Sequence, residues 1–456
     1  MIGGLVGAMA GLGGLGMAAE TAPRQMSSSC SGTCKTPSAR QTLSLDQQRA
    51  LDAVREGRHI FLTGPPGTGK THATRAIVGW AQEAGKNVGI TAMTGTAAVL
   101  LGGQTVHSYL GIGLARGSPE AMAAQLSRGG ATARARILAL DLLLLDEVSM
   151  ASAEFLDKVS DFLGIVRRRH GTPFGGVQVV LVGDFCQLPP VEGRYAFHAR
   201  VWAGAGIQTI QLETNHRQQG DVAFQDLLGA LRRGRCGAGE METLRGLCDR
   251  GFPSGVSPAV LYATNADVDA INQGCFEELV GKGAPVQAYP LRHAKGASGK
   301  TAEGWARSAK LDAPVRICLG ARVMLTRNVS VEQGLVNGSQ GIVLGLDQDR
   351  VLVRFHGGEA VWIGYFRAAQ EEDTRVWIEY MPLRLAWAVS IHRSQGATLD
   401  AVSIDLGTRV FAPGQAYTAL SRARGLDGVR LLGLSPRAFF TSPEVMAFYG
   451  YDAAAL

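Results

Sequence analysis

The chain has 456 residues, 46% of them apolar, which is long enough for two or three domains with cores of their own. Lys and Arg number 45 against 39 for Asp and Glu, a net charge of +6 that permits a polyanionic partner without demanding one. Seven scattered cysteines argue against a disulfide framework, and the Cys30/Cys34 pair lacks the second pair of ligands a zinc site needs.

Residues 1–40 differ from the rest. "MIGGLVGAMAGLGGLGMAAE" is Gly/Ala-rich and apolar, and the following twenty residues are Ser/Thr-rich and nearly free of acids. No charged n-region precedes the apolar stretch, and so many glycines make a poor membrane helix. A disordered tail or a targeting segment is expected there, with no membrane span in the remaining chain.

From Leu43 the pattern alternates. "LSLDQQRALDAV" starts a helix. "HIFLTG", "VGITAM", "LALDLLLLDE", "VQVVLVGD" and "AVLYATN" are short apolar strands ending in Gly, Asp, Thr or Asn. Continuous rather than alternating hydrophobicity predicts strands covered on both faces, hence α/β architecture with parallel sheets and ligands at the carboxyl ends of the strands. Residues 113–136 read as a surface excursion within the first domain. Residues 320–382, including "RVLVRFHGGEAVWIGYF", change to period-two alternation and predict a small antiparallel insertion. The α/β pattern resumes at "RLAWAVSIHRSQG".

Two motifs carry chemistry. "FLTGPPGTGKTHATRAI" places G-x-x-x-x-G-K-T between a strand and a helix. Gly64, Pro65, Pro66, Gly67, Thr68 and Gly69 would turn backbone N–H groups toward phosphates, and the helix adds its positive end. Lys70 would neutralise the β- and γ-phosphates, and Thr71 would ligate Mg²⁺. "LLLLDEVSM" supplies Asp146 as the second Mg²⁺ ligand and Glu147 to polarise an attacking water. ATP and Mg²⁺ are the cofactors expected. Gln47, on the first helix, carries an amide that suits an adenine edge as well as solvent. In "GDFCQLPPV" two prolines hold Gln187 stiffly at a strand tip, as a sensor would require.

"GDFCQLPPV", "LETNHRQ", "SIHRSQGATLD" and "YTALSRARGLDGVRLL" follow in that order, and "FLDKVSDFLGIVRRRHGTPFGGVQ" lies between the acidic pair and Gln187. This ordered set resembles the Pif-type DNA helicases of superfamily one, the 5′-to-3′ Pif/RecD branch, over about residues 43–435. A small-molecule kinase would explain neither the Gln187 turn nor the separated arginines.

The resemblance implies two RecA-like domains with ATP between them: 41–215, then 216–319 with 383–440. It implies an SH3-like module at 320–382, a C-terminal tail at 441–456 and a strand-separating wedge near 110–136. It gives Gln187 a place beside the γ-phosphate, Gln47 a place on the base, and Arg217 and Arg422 the role of arginine fingers. Arg424 reads as a surface salt bridge.

DNA contacts implied are Thr94, Gly95, Thr105 and His107 in the first domain, and Thr264, Asn265, Ser390, His392, Ser394, Gln395 and Thr398 in the second. Most are uncharged and suited to phosphates and sugars. Two positions depart from the family pattern, Arg393 for a common lysine and Cys186 for a frequent aromatic. The expected partner is single-stranded, tailed or forked DNA, bound by a monomer. The expected compartment is the nucleus or mitochondrion in a eukaryote and otherwise the cytoplasm. A clamp that does not separate strands, and an RNA-directed helicase, stay open as alternatives.

Overall fold

The computed structural model describes residues 43–451, apart from 114, 214–220, 249, 253–257, 294–313, 331–332, 356–357 and 370–376. Arg217 therefore lies outside the described residues. Among those described, no helix is long and apolar enough to cross a membrane.

The chain enters through the helix Leu45–Arg55, capped by Ser44 in a reciprocal box with Gln47. Six parallel strands of the described chain form the first sheet. These are β1 (Ile60–Thr63), β2 (Val88–Ala92), β3 (Gln104–Thr105), β4 (Leu142–Asp146), β5 (Gln178–Gly183) and β6 (Gln208–Gln211), in the order β3-β2-β4-β5-β1-β6. The unbroken apolar run of β4 has a simple cause. Leu142 and Leu144 join the core under the helices Leu45–Arg55 and Lys70–Glu83, while Leu143 and Leu145 join the core containing Phe162 on the other face. The strand order sets β4, β5 and β1 side by side, so the phosphate loop, the Asp146–Glu147 pair and the Gln187 turn leave the sheet as neighbours.

The excursion forms two helices, Pro119–Gly129 and Ala131–Ala139. Met122 and Leu126 are buried in the main core, so it is an amphipathic pair rather than a loop.

A second sheet opens with β7 (Ala259–Tyr262) and is then interrupted. The interruption contains β8 (Val286–Tyr289), β9 (Arg292–His293), β10 (Val315–Cys318), β11 (Arg322–Leu325), β12 (Gln340–Leu346), β13 (Arg350–Phe355), β14 (Ala360–Gly364), β15 (Phe366–Ala369), β16 (Trp377–Tyr380) and β17 (Leu383–Leu385). Its largest sheet runs β14-β13-β12-β11-β17, antiparallel throughout, over a separate core that includes Val323, Val343, Val353 and Ile363. Antiparallel pairing extends on both sides of 320–382, from Val286 to Leu385. The two-residue β9 and three-residue β17 are too short for period-two alternation to register.

The second sheet closes with β18 (Ala388–Ser390), β19 (Val402–Leu406) and β20 (Val429–Leu434), all parallel, in the order β18-β7-β19-β20. The fold is thus α/β, with two parallel sheets of the RecA-like kind and an antiparallel β insertion in the second.

Residues 441–451 are not a free tail. The helix Pro443–Phe448 buries Val445 and Met446, and Phe448 packs on Phe61, Phe185, Phe197 and Trp202 of the first half. Each such ring pair adds about 0.5–1.5 kcal/mol beyond its area. The segment straps back over the first sheet because its aromatics find partners far away in sequence.

Candidate active site and nucleic-acid interface

The phosphate loop is built as the motif requires. Gly64, Gly67 and Gly69 have φ of 152°, 88° and 79°, open to glycine and strained for other residues. At Gly64 a Cβ would also stand 2.6 Å from the Leu212 carbonyl oxygen. Thr68 is buried and its hydroxyl donates to Pro65 O at 2.9 Å. Lys70 opens the next helix, its Nζ donating to Gly64 O at 2.6 Å and Pro65 O at 3.0 Å. Burial lowers its pKa, opposed by the carboxylates of Asp184 and Glu147. Thr71 follows on the first turn, exposed.

Asp146 ends β4 and accepts from the Glu147 N–H at 2.8 Å. Burial pushes its pKa up to about 7, with the charge of Glu147 adding to the effect. Glu147 itself sits at φ 55°, ψ 41°, a left-handed conformation that is uncommon outside glycine.

Gln47 meets two partners within the protein. Its Oε1 accepts from Ser44 N at 3.1 Å and its Nε2 donates to Thr68 O at 3.3 Å. The Nε2 end braces the phosphate loop against the first helix, and the Oε1 end closes that helix's capping box.

The Gln187 turn meets the second half directly. Arg422 is buried, and its Nη2 donates to Gln187 Oε1 at 3.3 Å while its Nε holds Thr418 O at 3.0 Å. Gly414 permits this approach, because a Cβ there would collide with the Cys186 carbonyl and lie 2.7 Å from that of Gln187. Arg424, by contrast, makes an exposed pair with Asp400 at 2.8 Å.

Beneath the turn lies a network that the motifs did not announce. Asp184 is fully buried and paired with Arg232, Nη2 to Oδ1 at 3.0 Å and Nε to Oδ2 at 3.1 Å. The Tyr417 hydroxyl donates to Asp184 Oδ2 at 2.9 Å. Tyr449 Oη accepts from Phe185 N at 3.1 Å and lies 2.8 Å from Thr63 Oγ1, so it joins the tips of β5 and β1. Burial drives the Asp184 pKa up, but Arg232 first, with Lys70 and the Tyr417 hydroxyl, reverses this and holds it below the usual carboxylate value. Nothing near Arg232 in the sequence distinguishes it from its neighbour Arg233.

A cavity of about 500 Å³ opens between both halves and the β insertion. It gathers Thr94, Gly95 and Thr105 from one side and His392 and Arg393 from the other. Thr94 and Thr105 also cap helices, accepting from Ala97 N and Ser108 N at 3.3 Å each. Their side of the cavity faces Arg327, Asn337, Tyr380 and Arg384 of the insertion, which sequence reasoning missed. Their one signal is that polar residues cluster at the ends of alternating strands.

Other expected DNA contacts fall elsewhere. His107 packs its ring on Phe155 at 5.0 Å. Thr264 caps the helix Asn265–Gly281 and donates to Asp267 at 2.7 Å, with Asn265 exposed beside it. Ser390 is buried at the tip of β18, and Thr398 is exposed. Ser394 is buried and turned to Ile391 O at 2.8 Å. Gln395 faces away from the cavity altogether: its Nε2 donates to Glu147 Oε2 at 3.2 Å and Ser149 Oγ at 3.0 Å. Its pairing with residues some 250 positions away is invisible in a local motif.

Known proteins resemble this chain in sequence and in fold. Residues 42–241 match the model of the PIF1-like helicase family, and residues 315–346 match that of the DNA helicase Pif1 2B domain. The chain is 37% identical over 424 residues to the human ATP-dependent DNA helicase PIF1, covering 91% of this chain but only 64% of the human protein's length. It is 32% identical to the Pif1 of Bdellovibrio bacteriovorus, covering 89% of this chain and 91% of that one. The crystal structure of Pif1 helicase from Candida albicans superposes with a TM-score of 0.79 at 32% identity, covering 90% of this chain and 99% of that chain. Bacteroides Pif1 bound to single-stranded DNA gives 0.75 at 28% identity, covering 90% and 97%. At 32% identity over about nine-tenths of both this chain and the Bdellovibrio relative, the chain belongs to the PIF1-like helicase family.

Proposed function

We propose that the chain is an ATP-driven DNA helicase that moves 5′ to 3′ along single-stranded DNA and opens duplex, in the service of genome maintenance. The observation that carries this reading is the hydrogen bond from Arg422 to Gln187, which joins the second sheet to the sensor turn beside the phosphate loop. The Bacteroides relative has been solved with ADP-AlF3 and single-stranded DNA, and a further structure addresses unwinding at forked duplex by two coordinating Pif1 helicases. One chain holds both halves of the site, so the monomer is the working unit proposed.

The loop N–H groups and Lys70 hold the β- and γ-phosphates. Thr71 and Asp146, a hydroxyl and a carboxylate at the helix start and strand end, would hold a magnesium ion, which would neutralise phosphate charge there. Glu147 takes a proton from the attacking water. Arg422 faces the charge that develops on the transferred group, a role worth about 10³–10⁵ in rate. Arg217 would be a second finger. Loss of the γ-phosphate removes what Gln187 and Arg422 share, and the second sheet shifts relative to the first.

The strand runs through the cavity under the β insertion, where mainly backbone contacts predict little sequence preference. The helix pair Pro119–Ala139 is assigned to strand separation. ATP hydrolysis with and without single-stranded DNA, paired with unwinding of 5′- and 3′-tailed duplexes, tests the reading. DNA-stimulated hydrolysis and unwinding from the 5′ tail are expected; unwinding from the 3′ tail refutes the polarity. Stimulation without unwinding supports a clamp, and preference for RNA tails an RNA-directed motor.

A further inference from the structure

We propose that Gln395 is a positioning residue for hydrolysis, holding the Glu147 carboxylate from the second sheet so that engagement of the DNA track sets the geometry of the attacking water. The inference rests on the function proposed above. Gln395 is 1% exposed, and its amide nitrogen bridges Glu147 Oε2 and Ser149 Oγ. Both residues lie on the turn after β4, where Glu147 holds a left-handed backbone, a conformation that survives only where surroundings impose it. Gly396, at φ 83°, lies flat against the same place: a Cβ would meet Ala97 Cβ at 3.3 Å and Glu147 Oε1 at 3.6 Å.

The same short turn faces the DNA. His392 and Arg393 line the cavity, and the opposite wall begins at Thr94 and Gly95, the start of the helix that contains Ala97. Ser394 locks the turn by donating to Ile391 O at 2.8 Å. A strand that presses on His392 therefore presses on a rigid unit whose next residue holds the hydrolytic carboxylate.

A second observation points to what the amide awaits. Gln395 Oε1 is buried and has no hydrogen-bond partner among the described residues. Such an acceptor is costly to leave unmet. The water that Glu147 activates has two protons. One goes to the carboxylate as the oxygen attacks phosphorus and the bond to the ADP oxygen breaks, that oxygen leaving with the electron pair. The other stays on the water oxygen, and the Gln395 carbonyl accepts a hydrogen bond from it without taking the proton.

The test uses the full chain and three measurements, ATP hydrolysis at saturating oligo-dT, the KM for ATP and oligo-dT affinity, on the parent and two variants, Gln395→Leu and Ser149→Ala. Gln395→Leu is expected to lower the DNA-saturated kcat about 10- to 100-fold, with ATP KM and oligo-dT affinity within about threefold. Ser149→Ala, which keeps the Glu147 bond but frees the amide to rotate, is expected to lose about two- to fivefold in the same kcat. Weakened oligo-dT binding with kcat retained at saturation would make Gln395 a DNA contact and overturn the proposal, as would no change in either quantity. If Gln395→Leu does not fold, an unchanged kcat in Ser149→Ala overturns it instead. Absence of DNA-stimulated hydrolysis in the parent overturns the proposed function and this inference together.

Discussion

Arg232→Met tests the network beneath the Gln187 turn. The substitution keeps an apolar stem and removes the charge. In the parent the pair is almost wholly sequestered, with 3% and 0% of the two side chains exposed. After the change Asp184 retains the Tyr417 hydroxyl at 2.9 Å and the Cys186 N–H at 3.2 Å, both neutral. Stranding a buried charge in this way costs about 3–5 kcal/mol, a large share of the roughly 5–15 kcal/mol that holds a typical fold.

The pH dependence has a definite sign. In the parent, burial raises the Asp184 pKa but Arg232, with smaller help from Lys70 and Tyr417, brings it below the unfolded value of about 3.9. Its stabilisation is therefore present above that value and lost as pH falls through the folded pKa. In the variant Lys70 and the Tyr417 hydroxyl alone still oppose burial, so the folded pKa is expected to rise above the unfolded one. The penalty is then absent in acid and grows as pH climbs. Urea unfolding followed by tryptophan fluorescence at about pH 8 and about pH 5 should show the wider gap between parent and variant at the higher pH. A loss below about 1 kcal/mol at the higher pH, or a gap that widens on acidification, refutes the reasoning. Removing both charges, with Asp184→Asn added, should recover most of the loss.

Lys70→Ala should cut ATP turnover at least about 100-fold while oligo-dT binding, read by anisotropy, persists; unchanged turnover would remove the phosphate-loop assignment. Gln187→Ala deletes the acceptor of the Arg422 bond and should keep nucleotide affinity within about threefold while losing most DNA stimulation of hydrolysis. Equal stimulation in variant and parent would show that the turn is not the coupler. Tyr449→Phe strips the hydroxyl that meets Thr63 and Phe185, leaving the Phe185 N–H short of its acceptor. It should cost about 1–3 kcal/mol in urea unfolding, and an unmoved midpoint would mean the bridge adds nothing.

The sequence by itself determined the parts whose physics is local. A run such as Leu142–Leu145 states that both faces of a strand are covered, and the glycines around Lys70 state a backbone that closes on phosphates. Order along the chain was enough to pair those parts with the Gln187 turn and Arg422. Only tertiary structure decided the roles of side chains whose partners lie hundreds of residues away. Gln47 braces the phosphate loop, Gln395 holds Glu147, Arg232 neutralises Asp184, and the residues after 441 strap the first sheet. A glutamine or arginine carries the same donors wherever it stands, and which acceptor it meets depends on how two sheets and an insertion pack. Local pattern records the backbone a segment prefers; it does not record what the folded chain brings against it.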